Sequence, residues 1–224
     1  MSNTAPTRPL ALVTGASRGL GFALAAALGA RGWHVMAVAR TVGGLEELDD
    51  RIQKAGGAAT LAPMDLTDEK AAAYLANAIA GRWGRVGLWV HTAIHAAPLA
   101  PAGHVDARDL AKSVAINLTA AATLIPLIEP LLRDPEGDAH GTALFLDDPR
   151  TGQPFFGAYG STKAAQMSLV RSWQAETQRI GPWVRIVTPK PVATAVRARF
   201  FPGEDRAALA DLHGEAARIL AEIQ

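Results

Sequence analysis

Apolar residues fall along this chain in six runs of strand length, over residues 10–14, 33–39, 58–63, 86–91, 142–147 and 183–188. Most are rich in Val, Leu, Ile or Trp. They lack the in–out alternation of a strand with one face in water, and read instead as parallel strands covered on both faces. Between them lie longer helical segments at 20–30, 42–55, 68–82, 107–133 and 158–179. Thr67, with Glu69 and Lys70 behind it, marks a helix start, and Gly56 with Gly57 a stop. Pro126 and Pro130 are expected to bend or break the fifth helix near its end, because proline lacks the N–H that the helix ladder needs. Strand and helix alternate six times, which predicts an α/β fold: a doubly wound parallel sheet with right-handed crossovers.

With 224 residues, 49% of them hydrophobic and 19% charged, the chain suits one well-packed core rather than two. The expected organisation is a flexible N-terminus at 1–8 and a single domain over 9–224. A formal charge of +1, without a dense basic run, argues against nucleic acid as a partner. The absence of cysteine removes disulfides, thiolate nucleophiles and cysteine metal ligands. The six histidines form no His-Glu-x-x-His pattern, so no metal site is expected. The longest mostly apolar stretch is read as 19–30, short of the roughly 20 residues a membrane helix needs, so no membrane is expected. Pro6 and Pro9 stand where a secretory signal would need an apolar run, which makes the cytoplasm the expected location.

Directly after the first run comes Thr14-Gly15-Ala16-Ser17-Arg18-Gly19-Leu20-Gly21, and then the alanine-rich helix. Glycines in such a turn give positive φ, close backbone approach to a pyrophosphate, and tight helix-on-strand contact. The helix N-terminus adds unpaired N–H groups for the diphosphate. This is the dinucleotide turn of a Rossmann fold. An acid at the end of the second strand would favour the free 2′-hydroxyl of NAD(H). Arg40 stands there instead, and with Arg18 it makes a pair suited to a 2′-phosphate. NADP(H) is therefore the preferred cofactor, with NAD(H) as the alternative. Asp65, followed by Leu66, is a candidate for the adenine amine, and equally a cap for the helix expected at Thr67.

Tyr159-Gly160-Ser161-Thr162-Lys163 places a phenol and an ammonium at i and i+4, on one helical face. A nearby positive charge lowers a phenol's pKa and lets it serve as acid or base at a carbinol oxygen. With these pieces, Asn117 in Ile116-Asn117-Leu118, and the segment Pro189-Lys190-Pro191-Val192-Ala193-Thr194, the chain resembles the short-chain dehydrogenase/reductase family over nearly its full length. The resemblance implies Tyr159 as catalytic acid/base, Lys163 as its pKa tuner and ribose ligand, and Asn117 as anchor of a proton-relay water. It implies Val192 and Thr194 as contacts to the nicotinamide amide. It also implies a substrate lid near 195–205, a sheet without the family's last strand, and a homodimer through the helices at 107–133 and 158–179.

The chain departs from the family pattern in three places. His91-Thr92-Ala93-Ile94 replaces Asn-Asn-Ala-Gly, with Ala93 still in its cofactor-side place. Lys190 replaces a glycine. The active-site serine, normally about a dozen residues before the tyrosine, is missing, and Asp148 stands nearest its place. A carboxylate only accepts hydrogen bonds, so Asp148 could replace the serine only if protonated, which adjacent Asp147 would favour. His91, His95 and Thr151 are the other candidate donors. The expected activity is an NADP(H)-dependent oxidoreductase acting on a small carbonyl or alcohol substrate. The alternative is a cofactor-binding sensor or interaction protein that has lost catalysis.

Overall fold

The computed structural model describes residues 8–134, 137 and 139–223. The N-terminal segment expected to be flexible lies outside them apart from Arg8, whose guanidinium donates to the Gly56 carbonyl at 3.1 Å. Six strands, β1 (Leu10–Thr14), β2 (His34–Ala39), β3 (Ala58–Pro63), β4 (Leu88–His91), β5 (Thr142–Leu146) and β6 (Trp183–Val187), form one parallel sheet in the order β3-β2-β1-β4-β5-β6. The helices are α1 (Gly19–Ala30), α2 (Val42–Lys54), α3 (Glu69–Trp83), α4 (Ala107–Ser113), α5 (Ala120–Leu132), α6 (Gly157–Thr177), α7 (Ala195–Phe200) and α8 (Leu212–Glu222). The chain reverses direction across the sheet between β1 and β4, and ligands of such folds bind beyond the strand C-termini at that switch point.

The continuous apolar character of the strands has a direct cause. In β1, Leu10 and Leu12 face one core, with α3, α5 and α6 over it. Ala11 and Val13 face the other, under α1, α2 and α8. Helix α1 is wedged among β1, α2 and α8, which is why it is apolar nearly all round. Gly29 is required there, because a Cβ would come within 2.7 Å of Ile52 Cγ2. After β6 the chain enters α7, at the place expected for a lid, and then α8, with no seventh strand among the described residues.

The fifth helical segment corrects two expectations. It spans Ala107–Leu132 as α4, a π-helical stretch (Val114–Thr119) and α5, and Pro126 and Pro130 do not end it. Ala122, Pro126 and Pro130 share the solvent-exposed face. The carbonyls that lose their ladder bonds can therefore meet water, while Leu124, Ile128 and Leu132 hold the opposite face fully buried. The same 26-residue segment is long and apolar enough to cross a membrane, so 19–30 is not the longest apolar stretch. Its apolar face is packed into the core under the sheet.

Candidate functional site

The glycine turn is shaped by close backbone contacts. Gly15 has φ +91°, and a Cβ on it would stand 2.6 Å from the Ala93 nitrogen. A Cβ on Gly21 would stand 2.3 Å from both the Gly15 oxygen and Thr92 Oγ1. Helix α1 opens at Gly19 with Arg18 in extended conformation before it, no side-chain cap and no acid in its first turn. By contrast, α3, α4, α7 and α8 are capped by Asp68, Asp106, Thr194 and Asp211. The glycine cradle and the uncapped N-terminus fit a dinucleotide diphosphate. Ser17, Arg18, Leu20, Leu66 and Ala93 line the same cleft, whose volume is about 770 Å³.

At the adenosine end, exposed Arg40 has Nη1 3.8 Å from Asp65 Oδ2. An ion pair this long and exposed is weak, so the guanidinium is available to another anion. Asp65 does not cap the next helix, which begins at Glu69 rather than Thr67. Its Oδ1 accepts from the Thr67 nitrogen at 3.0 Å and hydroxyl at 2.8 Å, and Asp68 caps α3 instead. The Thr67 N–H, opposed by desolvation, is the main cause that holds the Asp65 carboxyl below the usual range.

Tyr159 and Lys163 lie on the first two turns of α6, both buried and both lining the cleft. Gly160 between them keeps the helix against the 148–150 loop, since a Cβ would come within 2.7 Å of the Arg150 carbonyl. The Tyr159 hydroxyl donates to Asp148 Oδ2 at 3.0 Å. Burial first, and Asp148 second, push the Tyr159 phenol pKa up. Arg150 Nε lies 2.8 Å from Asp148 Oδ1. Asp148 is thus the acceptor for the phenol and faces a guanidinium, an arrangement unlike the donating acid expected there. Lys163 Nζ donates to Gln166 Oε1 at 2.6 Å, and burial lowers its pKa to about 8.

Asn117 sits in the π-helical stretch, fully buried. Its Oδ1 accepts from the His95 nitrogen at 2.6 Å, and its Nδ2 donates to the His95 carbonyl at 3.0 Å and to Thr162 Oγ1 at 3.0 Å. It fastens the loop after β4 to α6. Val192 is buried and bridges to Ala210, while the Thr194 hydroxyl accepts from the Arg197 nitrogen at 3.1 Å and its methyl faces Gly19. The Lys190 nitrogen donates to buried Glu215 at 2.8 Å, so the backbone there is tied to α8.

Of the other candidate donors, His91 is buried with Nδ1 2.8 Å from Thr14 Oγ1, and burial lowers its pKa to about 3. It is therefore neutral. His95 lines the cleft with its pKa lowered, chiefly by burial. Thr151 lies on an exposed depression with Phe155 rather than among the residues lining the cleft. Phe200 on α7 closes over Tyr159 with ring centroids 4.7 Å apart, leaving the tyrosine 3% exposed. Phe200 falls in the segment expected as a substrate lid, whereas Gln166 and Arg150 were not singled out by the sequence. The three-residue spacing of Gln166 from Lys163 was a usable signal; Arg150 reaches the site only through the fold.

The model of the family described as short chain dehydrogenase matches residues 9–205. An uncharacterized oxidoreductase of Mycobacterium tuberculosis is 32% identical over 179 residues, which are 78% of this chain and 52% of that protein. The chain spans about half the length of such curated relatives. Among solved structures, a Pseudomonas syringae chain described as a short chain dehydrogenase superposes with a TM-score of 0.84 at 27% identity, covering 93% of this chain and 86% of that one. A Shigella flexneri counterpart complexed with NADP gives 0.82 at 25% identity, covering 92% and 86%. With a family model matching most of the chain and the sheet superposing on these structures, the chain belongs to the short chain dehydrogenase family.

Proposed function

We propose that the chain is an NADP(H)-dependent oxidoreductase acting on a small carbonyl or alcohol compound. The observation that carries the reading is convergence: the glycine turn, Arg18 and Arg40, and the Tyr159–Lys163 face all open onto one cleft. Gly15, Ser17, Gly19, Leu20 and Gly21 seat the diphosphate. Arg18 and Arg40 take the 2′-phosphate, so NADP(H) is favoured over NAD(H). Asp65, Leu66 and Ala93 border the adenine side, and Val192 and Thr194 the nicotinamide side. Bound there, the nicotinamide supplies or takes up the hydride. Tyr159 holds the proton exchanged with the substrate oxygen. Lys163 places a charge beside the phenol and the ribose. Asn117 fixes the cleft wall through the His95 backbone and anchors the proton-relay water. The protein works in the cytoplasm as a homodimer through the α4–α5 and α6 faces, where Leu110 and Val114 are exposed.

The second reading, a cofactor-binding protein without turnover, is favoured by one observation: the Tyr159 hydroxyl is occupied by Asp148 beneath Phe200. One set of measurements separates the two. By calorimetry NADPH binds more tightly than NADH, and Arg40→Asp erases the preference, with a loss of about 1.5–3 kcal/mol for a charge-assisted contact. Against a panel of aldehydes and ketones the protein oxidises NADPH, and Tyr159→Phe abolishes this while the fold persists. Equal affinity for both cofactors would defeat the NADP(H) assignment, and binding without turnover would favour the second reading.

A further inference from the structure

Asp148 Oδ2 receives the Tyr159 hydroxyl at 3.0 Å, and Oδ1 is ion-paired with Arg150 Nε at 2.8 Å, although the buried Nε–H is not aligned to hydrogen-bond with it and makes no other hydrogen bond among the described residues. A single carboxyl group therefore separates the phenol from a guanidinium inside the cleft. A guanidinium is a donor only and stays protonated at any working pH. That is the property the missing serine hydroxyl would have contributed, and an ion-paired carboxylate lacks it. Arg150 is also held in place. Its carbonyl fits against α6 because residue 160 is glycine. Its Nη1 donates to Gln153 Oε1 at 3.3 Å. Its guanidinium carbon lies 5.7 Å from the Phe156 ring centroid and 5.2 Å from that of Phe201, within cation–π range.

We propose that Arg150 is a catalytic residue, the donor to the reacting oxygen of the substrate in the place of the family's serine, and that Asp148 positions it. The proposal rests on the oxidoreductase reading above. A substrate oxygen that comes to the Tyr159 hydroxyl must displace Asp148 Oδ2. The carboxylate keeps its pairing with Arg150 through Oδ1, and the guanidinium then faces the incoming oxygen. In the reducing direction the carbonyl carbon gains a hydride from the reduced nicotinamide, the π electron pair moves onto oxygen, and that oxygen takes the Tyr159 proton. Arg150 offsets the negative charge gathering on the substrate oxygen and the charge left on the phenolate. It already acts on the phenol in this sense, pulling its pKa down against burial and Asp148. A neutral serine would do only the first of these.

Two readouts test it on the full chain. With NADPH and a carbonyl compound that is turned over, Arg150→Ala is expected to lower kcat about 10²-fold or more, the loss typical of one oxyanion donor. NADPH affinity should stay unchanged, and millimolar guanidinium ion should restore part of the rate while methylammonium ion does not. A kcat close to wild type, or a loss that guanidinium leaves untouched while NADPH still binds, overturns the proposal. The second readout needs no turnover. Asp148→Ala vacates the place between phenol and guanidinium, and acetate should bind there by calorimetry; adding Arg150→Gln should abolish that binding. Equal acetate binding in the double variant overturns the proposal. A wild type that binds NADPH and turns over no carbonyl compound defeats the oxidoreductase reading itself, and the acetate measurement still decides where the Arg150 donors point.

Discussion

Lys163 is an ammonium group almost without water, with one carboxamide oxygen 2.6 Å away. Burial lowers its pKa from 10.5 to about 8, so between those values the unfolded chain holds more protons than the folded one. Stability of the cofactor-free protein therefore rises with pH from about 8 toward 10, by on the order of 3 kcal/mol at most. Above pH 10 the raised phenol of Tyr159 works the other way, because the folded state then retains the proton that the unfolded chain loses. Urea midpoints measured at pH 8 and 10 should show the rise, and Lys163→Met should flatten it. Lys163 was legible in the sequence from its spacing to Tyr159. Its burial was not, since that depends on how deeply α6 sinks into the core, although the i, i+3 spacing of Gln166 hinted at its partner. Arg150 was hidden for a related reason: nothing local to Asp148-Pro149-Arg150 reveals that Gly160 admits its carbonyl.

The strands were readable as elements, to within about two residues at their ends, because a sheet buried on both faces leaves a continuous apolar signature. The junction at Val114–Thr119 left no such trace. There the π-helical turn sets Asn117 where its carboxamide meets both backbone groups of His95. Widened turns of this kind often accompany functional positions, and here the turn ties three elements together: the long helix, the loop after β4, and α6 through Thr162. Asn117→Ala removes all three bonds and leaves the His95 N–H and carbonyl without their partners, at about 1–3 kcal/mol for each unsatisfied group. Urea denaturation of the cofactor-free protein should register that loss. Asn117→Asp should recover only the part owed to the His95 N–H, because a carboxylate cannot donate to the carbonyl. The proline positions in α5 carry the complementary lesson. Proline chemistry alone predicted a bend or a break; the helix is not broken, because both prolines lie on its wet face.

Across the whole molecule, the doubly wound parallel sheet followed from the alternation of strand and helix, whereas the strand order and its switch point between β1 and β4 are seen only in the structure; they place the cleft where the glycine turn already pointed. The packing under the sheet joins that cleft to the deep core. Trp89 on β4 sits edge-on to Phe145 on β5 at 5.2 Å and tilted toward Trp173 on α6 at 6.2 Å, while its indole N–H donates to Thr14 Oγ1 at 3.2 Å. Thr14 also meets His91, which borders the cleft. The molecule therefore carries its own optical gauge of cofactor occupancy. Two rigid, water-shielded indoles emit where a reduced nicotinamide absorbs, so NADPH binding should quench tryptophan emission and sensitise nicotinamide fluorescence by energy transfer. NADP, which does not absorb there, should leave most of that emission in place. Trp89→Phe should diminish the transferred light without changing NADPH affinity by calorimetry, and undiminished transfer in that variant would place the emitting indole elsewhere.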